Sequence, residues 1–390
     1  MARVVASSAL LSCLVAALAC SASTAPGSAE KQPARRVAVD RPDLPLARLT
    51  EQELARFKQG DALFEATVRD SDGLGPLYVR DACSACHAGD GRGPGLVTKL
   101  STSDSAAAAE LLRLGTTERP YATAGAKQPL LAAADARVRV VARHPPAVFG
   151  RGYLEAIAER DLEQLAERAA RRTGSARGRL NRLPDGRIGR FGIKARLATL
   201  GDFAADALNG DMGITSPQYP DEPAGPEGLR DDHKPGVDFS AEQVSLLRDY
   251  LRFLEMPERR ELSQAGAALF ERARCSDCHV PAFTTSPSYE VEALAGVKAA
   301  IYSDLLLHDM GAARADGQTE AGAGPRDFRT APLIGLRFLP SYLHDGSAKT
   351  IEAANAAHAG DDSEGRDSWS SFQALSAAEQ RELVTFVEAL

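Results

Sequence analysis

Two five-residue segments of this 390-residue chain share the pattern C-x-x-C-H, namely CSACH at 83–87 and CSDCH at 275–279. Two thiols followed directly by an imidazole form the attachment signature of a c-type haem: the sulfurs bond to the porphyrin, and the histidine supplies an axial nitrogen to the iron. A zinc or thiol-redox site is the alternative, but outside the N-terminal leader no other cysteine exists to complete it. The pattern predicts two covalently attached haems, held by Cys83, Cys86, His87, Cys275, Cys278 and His279.

The N-terminus has the features of a secretory signal over residues 1–20. Arg3 precedes an apolar stretch at 9–19 that is too short to span a membrane. Two kinds of processing are consistent with this signal. Cys20 ends a segment that resembles a lipoprotein cleavage site and could carry a lipid, or the signal is cleaved in the ordinary way a few residues later. Residues 21–45 are rich in Ser, Ala, Pro and charge and predict a linker. We expect export to the periplasm, since c-type haems in bacteria are attached outside the cytoplasm.

Composition sets only broad limits on the class of protein. The chain is 44% hydrophobic and 25% charged, which is typical of a globular protein, and its length allows two domains. The net charge of −7 indicates no nucleic-acid partner. The same charge would steer a basic redox partner, although solubility alone explains it equally well.

Helix signals dominate the rest of the sequence. Capping boxes begin helices at 50–53, 240–243 and 376–379, and residues 152–172 and 197–208 also have helical character. The heptapeptides QGDALFE at 59–65 and AGAALFE at 265–271 each lead into a C-x-x-C-H motif, which indicates an internal duplication. We therefore predict a mainly α fold with long loops and few short strands. Its two cytochrome-c-like haem domains would cover residues 46–260 and 261–390.

Several further segments resemble one family of haem proteins. The segments FRT at 328–330, LHDG at 343–346 and TIEA at 350–353 resemble the second-haem signature of the bacterial di-haem cytochrome c peroxidase superfamily. GRFG at 189–192 and GDMGITSP at 210–217 resemble its di-haem oxidoreductase branch, whose members are also called thiol oxidoreductases. The resemblance runs from about residue 50 to residue 390 and implies a di-haem oxidoreductase.

The resemblance also implies ligands for the second haem. The peroxidases close this haem with a Met fourteen residues after the His of a His-x-Gly turn, and here His358 stands at that distance from His344. It therefore implies that His279 and His358 ligate the second iron, and that Arg329 and His344 bind the cofactor. His344 would support a propionate or the turn itself. Structural roles or direct ligation both stay open for His308 and Met310.

At the first haem, the matching run is Asp211-Met212-Gly213, where the peroxidases have a distal Glu-Met-Gly. Asp211 would move a proton between peroxide oxygens as a general acid–base. Met212 would either bind the iron or pack in the core. Ile193 stands where the peroxidases have a Trp between the haems, and Phe203 stands near their distal Gln, so peroxidase activity stays open.

Two functions are consistent with these sites. In the first, the second haem relays electrons to a catalytic first haem that uses a small oxidant such as peroxide, and a small redox protein is the electron donor or acceptor. In the second, both irons are six-coordinate, and the chain is a non-catalytic electron-transfer protein.

Overall fold

The computed structural model of the protein describes residues 43–90, 96–123, 135–223, 225 and 235–390. The predicted signal with Cys20, and the linker up to residue 42, lie outside these residues. The described residues all belong to one compact unit, and the division into domains 46–260 and 261–390 stays a prediction. Within the described ranges, no helix has the length and apolar character that a membrane crossing requires.

Helices make up most of the regular structure. They are α1 (Glu51–Glu65), α2 (Ala108–Leu111), α3 (Arg151–Glu155), α4 (Glu159–Ala170), α5 (Leu200–Met212), α6 (Ala241–Phe253), α7 (Gln264–Arg272), α8 (Ile351–Ala356), α9 (Arg366–Gln373) and α10 (Ala377–Glu388). Helix α1 begins at its predicted capping box, where the Thr50 hydroxyl accepts from the Glu53 N–H at 3.2 Å and the Glu53 carboxylate accepts from the Thr50 N–H at 2.8 Å. The same reciprocal bonds begin α6 and α10.

The strands are short and antiparallel. They are β1 (Leu77–Tyr78), β2 (Val97–Thr102), β3 (Thr117–Glu118), β4 (Tyr121–Ala122), β5 (Val138–Arg143), β6 (Asn181–Arg182), β7 (Ile188–Gly189), β8 (Phe283–Thr284), β9 (Lys298–Ala299), β10 (Leu307–Asp309) and β11 (Asp327–Arg329). They form one three-stranded sheet, β3-β2-β5, and the pairs β1-β4, β6-β7, β8-β9 and β10-β11. The predicted class, mainly helical with short strands, is confirmed.

The three-stranded sheet was not anticipated from sequence. In β2 only Leu100 is buried, and the other five residues are half-buried on both faces of the strand. A strand of this kind lacks the alternation of apolar and polar residues that would reveal it.

The predicted helix at 152–172 is interrupted between α3 and α4. The guanidinium of Arg190 donates to the carbonyls of Leu154 at 3.2 Å, Glu155 at 2.9 Å and Ile157 at 2.7 Å. These carbonyls would otherwise accept from the next helical turn. A residue distant in sequence thus stabilises the break.

The internal duplication corresponds to two equivalent helix pairs. Gly60 of α1 lies so close to α6 that a Cβ atom would be 2.2 Å from the Leu246 carbonyl oxygen. Gly266, the matching residue of α7, approaches α10 similarly, since its Cβ would be 2.5 Å from the Phe386 Cβ. In both copies a glycine lets the helix that leads into the C-x-x-C-H motif pack closely on a capped partner helix.

The aromatic residue of each heptapeptide lies at the centre of its helix pair. The Phe64 ring lies 5.0 Å from that of Tyr250 in the main core. The Phe270 ring lies 5.6 Å from that of Phe386 in a second cluster. The motifs that follow both aromatic residues therefore begin from fixed positions.

Candidate functional site

The second C-x-x-C-H motif forms a tight turn after α7. The N–H groups of Cys278 and His279 both donate to the Cys275 carbonyl, at 3.4 and 2.9 Å. Both cysteines and the histidine line a single cavity of about 300 Å³, whose remaining wall is largely apolar. Two thiols and an imidazole beside one apolar cavity match the requirements of covalent haem attachment.

The histidine predicted as the second ligand lies on the opposite side of this cavity. The rings of His279 and His358 have centres 6.5 Å apart, with their planes at 59°. Each Nδ1–H donates to a backbone carbonyl, His279 to Tyr302 at 2.9 Å and His358 to Ala354 at 3.0 Å. These bonds fix the tautomer and leave each Nε2 available to a metal.

The spacing of the two rings fits one metal ion between them. A metal–imidazole bond is about 2 Å long and a ring centre lies about 1 Å behind its nitrogen, so two trans imidazoles have centres about 6 Å apart. Burial lowers the pKa of His279 to about 4 and also lowers that of His358. Both rings are therefore neutral at neutral pH, which is the form that binds a metal.

Arg329 contributes a half-buried cation to the cavity wall. Its Nε donates to the Gly192 carbonyl and its Nη1 to the Thr330 carbonyl, both at 3.0 Å. Burial lowers its pKa to about 10, and none of the ion pairs between described residues includes it. A half-buried guanidinium without a carboxylate partner suits the anionic edge of a ligand, such as a porphyrin propionate.

The other predicted histidines have different environments. His344 lines the cavity, where its ring stacks on Phe328 with centres 4.3 Å apart, and burial lowers its pKa to about 4. His308 uses both ring nitrogens in hydrogen bonds, to Asp304 at 2.9 Å and Glu364 at 2.7 Å. This geometry favours a structural role for His308. Met310 lies in the cavity wall.

The first C-x-x-C-H motif folds into the same type of turn. The N–H groups of Cys86 and His87 both donate to the Cys83 carbonyl at 3.0 Å. The His87 ring lies 6.1 Å from that of Phe64, the core aromatic residue of α1. Burial raises the pKa of the Cys83 thiol to about 12, and the nearby carboxyl of Asp211 adds to this shift.

The end of α5 is bound to the segment that precedes this motif. The carbonyl of Asp211 accepts from the Val79 N–H at 2.6 Å, and that of Met212 from the Gly75 N–H at 2.9 Å. Met212 is only 5% exposed and packs in the main core, which favours the packing alternative for its side chain. The structure thus ties the backbone of Asp211 and Met212 to the segment that leads into the first motif.

Three cations near Asp211 were missed in the sequence, and two of them come from the region of the three-stranded sheet. Burial raises the pKa of Asp211, and the positive charges of Arg196, Lys99 and Arg119 counteract that rise. Lys99 belongs to β2, and Arg119 directly follows β3. Both come from the unanticipated sheet, and no motif marks either residue.

A pocket next to the cavity of the second motif contains an aromatic pair. A small pocket shares Gly192 and Arg329 with the large cavity and is also lined by Phe191 and Phe203, whose ring centres are 6.4 Å apart. Ile193, which stands where the peroxidases have a Trp, lines the large cavity.

Comparison with known families identifies the chain. Residues 39–128 and 115–390 match the model of a family described as "Di-haem oxidoreductase, putative peroxidase". The chain belongs to the di-haem oxidoreductase family. The predicted membership is confirmed, and the family implies haem cofactors in this di-haem oxidoreductase.

Three solved structures are similar to this di-haem oxidoreductase at low identity. Hydrazine synthase of Kuenenia stuttgartiensis is 14% identical over 97% of this chain and 100% of its own, with a TM-score of 0.44. A MauG-like protein associated with microbial copper homeostasis is 18% identical over 92% of both chains, with a TM-score of 0.40. The di-haem peroxidase BthA of Burkholderia thailandensis is 14% identical over 91% of this chain and 90% of its own, with a TM-score of 0.41. Similarity at these scores supports no conclusion about activity. No curated protein matches the chain.

Proposed function

We propose that this di-haem oxidoreductase is an exported c-type cytochrome with peroxidase-like activity. The observation that carries the proposal is the facing pair of His279 and His358 beside Cys275 and Cys278, in one cavity. When bound, the second haem would supply electron relay, and a first haem on Cys83, Cys86 and His87 would supply the site at which a small oxidant such as peroxide is reduced.

The residues of the chain have distinct tasks in this proposal. His279 and His358 would hold the second iron, and Arg329 would bind an anionic edge of the cofactor. At the first site, Asp211 holds and transfers a proton at its carboxyl group, because burial raises its pKa toward the working range of a general acid. Lys99 and Arg119 lie close enough to influence that charge.

A second candidate is a non-catalytic di-haem electron-transfer protein in which both irons are six-coordinate. It would require Met212, whose side chain packs in the main core, to bind the first iron instead. A thioether ligand at the first iron would close the site to exogenous ligands.

The leader and the charge support the remaining parts of the proposal. We infer export to the periplasm from residues 1–20, with either a lipid anchor at Cys20 or cleavage beyond it. The electron partner would be a small redox protein, and the negative net charge of −7 favours a basic one.

Mass spectrometry tests the cofactor content first. The full chain, produced in a host that attaches c-type haems, is denatured and weighed, and we expect two haem masses above the polypeptide. A single haem, or zinc in its place, would contradict the proposal.

Substitution of the facing histidine tests the ligation. We expect His358→Ala to convert one low-spin haem to high-spin in the optical spectrum, because the second iron loses a ligand. His344→Ala is the matched control, since it removes another cavity histidine outside the facing pair. An unchanged low-spin spectrum in His358→Ala would reject this ligand assignment.

A further inference from the structure

Lys194 is a completely buried lysine close to the cavity of the second motif. Its ammonium has three oxygen partners: the Asp316 carboxylate at 3.1 Å and the carbonyls of Gly324 and Asp327, both at 2.9 Å. These contacts match the three donors of an ammonium group. Both charged side chains of the Lys194–Asp316 pair are 0% exposed. Burying a charge is costly unless it is paired and hydrogen bonded, so this position is strongly constrained.

The ammonium also contacts an aromatic ring of the cavity wall. Lys194 Nζ lies 4.2 Å from the centre of the Phe328 ring, within the range of a cation–π interaction. The His344 ring stacks on Phe328 at 4.3 Å and 23°. A stacked imidazole covers one face of the ring, so the ammonium must lie over the other. Phe328 and His344 line the same cavity as His279 and His358.

The acidic partner of Lys194 is itself held by further ion pairs. Arg143 Nη2 lies 2.6 Å from Asp316, and the other terminal nitrogen of Arg143 pairs with Glu320. Glu320 in turn pairs with Arg196 Nε at 3.2 Å. The charges alternate in sign along this series of ion pairs, and each pair joins segments that are distant in sequence. The ammonium therefore has little freedom to move relative to Phe328.

We propose that Lys194 is a positioning residue of the second redox centre. Its fixed ammonium holds Phe328, and through it His344, in the wall that faces the cofactor, and it places a positive charge behind that wall. This inference rests on the proposed function, since it assumes a haem between His279 and His358. A nearby positive charge favours uptake of an electron, so its loss should make the second haem harder to reduce.

The substitution Lys194→Met tests the inference in the full, haem-loaded chain, because Met has a similar length and no charge. The midpoint potentials of both haems are measured by spectroelectrochemistry. At the distances of a cavity wall, a unit charge in a medium of effective dielectric near 20 changes an equilibrium about tenfold. We expect the reduction equilibrium of the second haem to fall about tenfold, which is about 59 mV for a one-electron couple. The first haem should be unchanged.

Two further variants keep the test decisive. Phe328→Leu removes the ring and leaves the buried ion pair, so it tests the positioning contact even if Lys194→Met does not fold. It should also shift the second potential alone. Arg56→Met is the control, because it breaks a partly buried pair with Asp249 that joins α1 to α6. It should lower stability without a selective shift of the second potential.

The outcomes separate the inference from the proposed function. The inference alone would be overturned under two conditions. The wild-type chain carries two covalent haems, and in both Lys194→Met and Phe328→Leu the potentials of the two haems are either unchanged or shifted by the same amount. A wild-type chain without a haem at Cys275 and Cys278 would overturn the proposed function.

Discussion

At the residue scale, the carboxyl of Asp211 is placed where it can retain a proton. It is partly buried at the C-terminal end of α5, and burial raises its pKa. The negative partial charge of a helix C-terminus further disfavours an ionised carboxylate. The positive charges of Lys99, Arg196 and Arg119 oppose this rise of the pKa.

Replacement of this carboxyl by an amide should separate chemistry from structure. We expect Asp211→Asn to slow peroxide turnover by roughly 10²–10⁴-fold, the usual contribution of a general acid–base, while the haem spectrum stays nearly constant. Steady-state peroxide reduction and the optical spectrum are the measurements.

Asp206→Asn is the matched control for Asp211→Asn. Asp206 belongs to the same helix and pairs with Arg196 at 2.6 Å. If both variants lose activity equally, or neither does, Asp211 has no special role in proton transfer.

At the element scale, one residue of the α10 capping box also joins α10 to α7. The Glu379 carboxylate accepts from the Ser376 N–H at 2.8 Å and the Ser376 hydroxyl at 2.7 Å, and it also pairs with Arg272 of α7. Arg272 and Ser376 together lower the pKa of Glu379 to about 2. One carboxylate thus caps α10 and links it to the helix that leads into the second motif.

These bonds predict a pH-dependent contribution to stability. Because the folded-state pKa of Glu379 lies below the usual value of 4.5, its contribution is fully present above pH 4.5 and disappears as the pH falls through about 2. We expect Glu379→Gln to be less stable than the wild type at pH 7, and the difference to vanish toward pH 2.

Urea unfolding midpoints between pH 2 and 7 measure this difference. Glu388→Gln, an exposed change in the last turn of the same helix, controls for the loss of a charge. A Glu379→Gln difference that stays constant with pH would mean that the ionised carboxylate contributes nothing.

At the scale of the whole molecule, the two C-x-x-C-H motifs have different surroundings. The second motif faces His358 across an apolar cavity, whereas the first lies near the Asp211 carboxyl, three cations and the buried Met212. Equal attachment motifs with unequal surroundings suit a relay centre and a reactive centre. The proposed enzyme differs from a carrier only in the access of ligands to the first iron.

Carbon monoxide titration at defined reduction levels tests this difference. We expect the fully reduced chain to bind carbon monoxide at one haem only, because His358 should close the second iron. Optical titration of the oxidised, half-reduced and fully reduced protein measures the stoichiometry. Binding that begins at half-reduction would indicate a gated enzyme. No binding at any level would leave the electron carrier.

Much of the local structure could be predicted from consecutive residues. Capping boxes at 50–53, 240–243 and 376–379 begin helices as expected, because a cap is formed by residues three positions apart. The two heptapeptides indicated an internal duplication, and the structure shows that each one packs on a partner helix. His358 came from its distance to His344 and the family resemblance, and the structure then placed it opposite His279.

Only the tertiary structure determined the surroundings of the two sites. No motif marks Lys194, Lys99 or Arg119. The burial of Lys194 depends on Asp316, which is over a hundred residues away. The proximity of Lys99 and Arg119 to Asp211 depends on a sheet whose strands alternate weakly between apolar and polar residues. The break between α3 and α4 likewise depends on distant Arg190. Side-chain spacing along the sequence specifies caps and helices, but charges are brought together by packing, which no short pattern encodes.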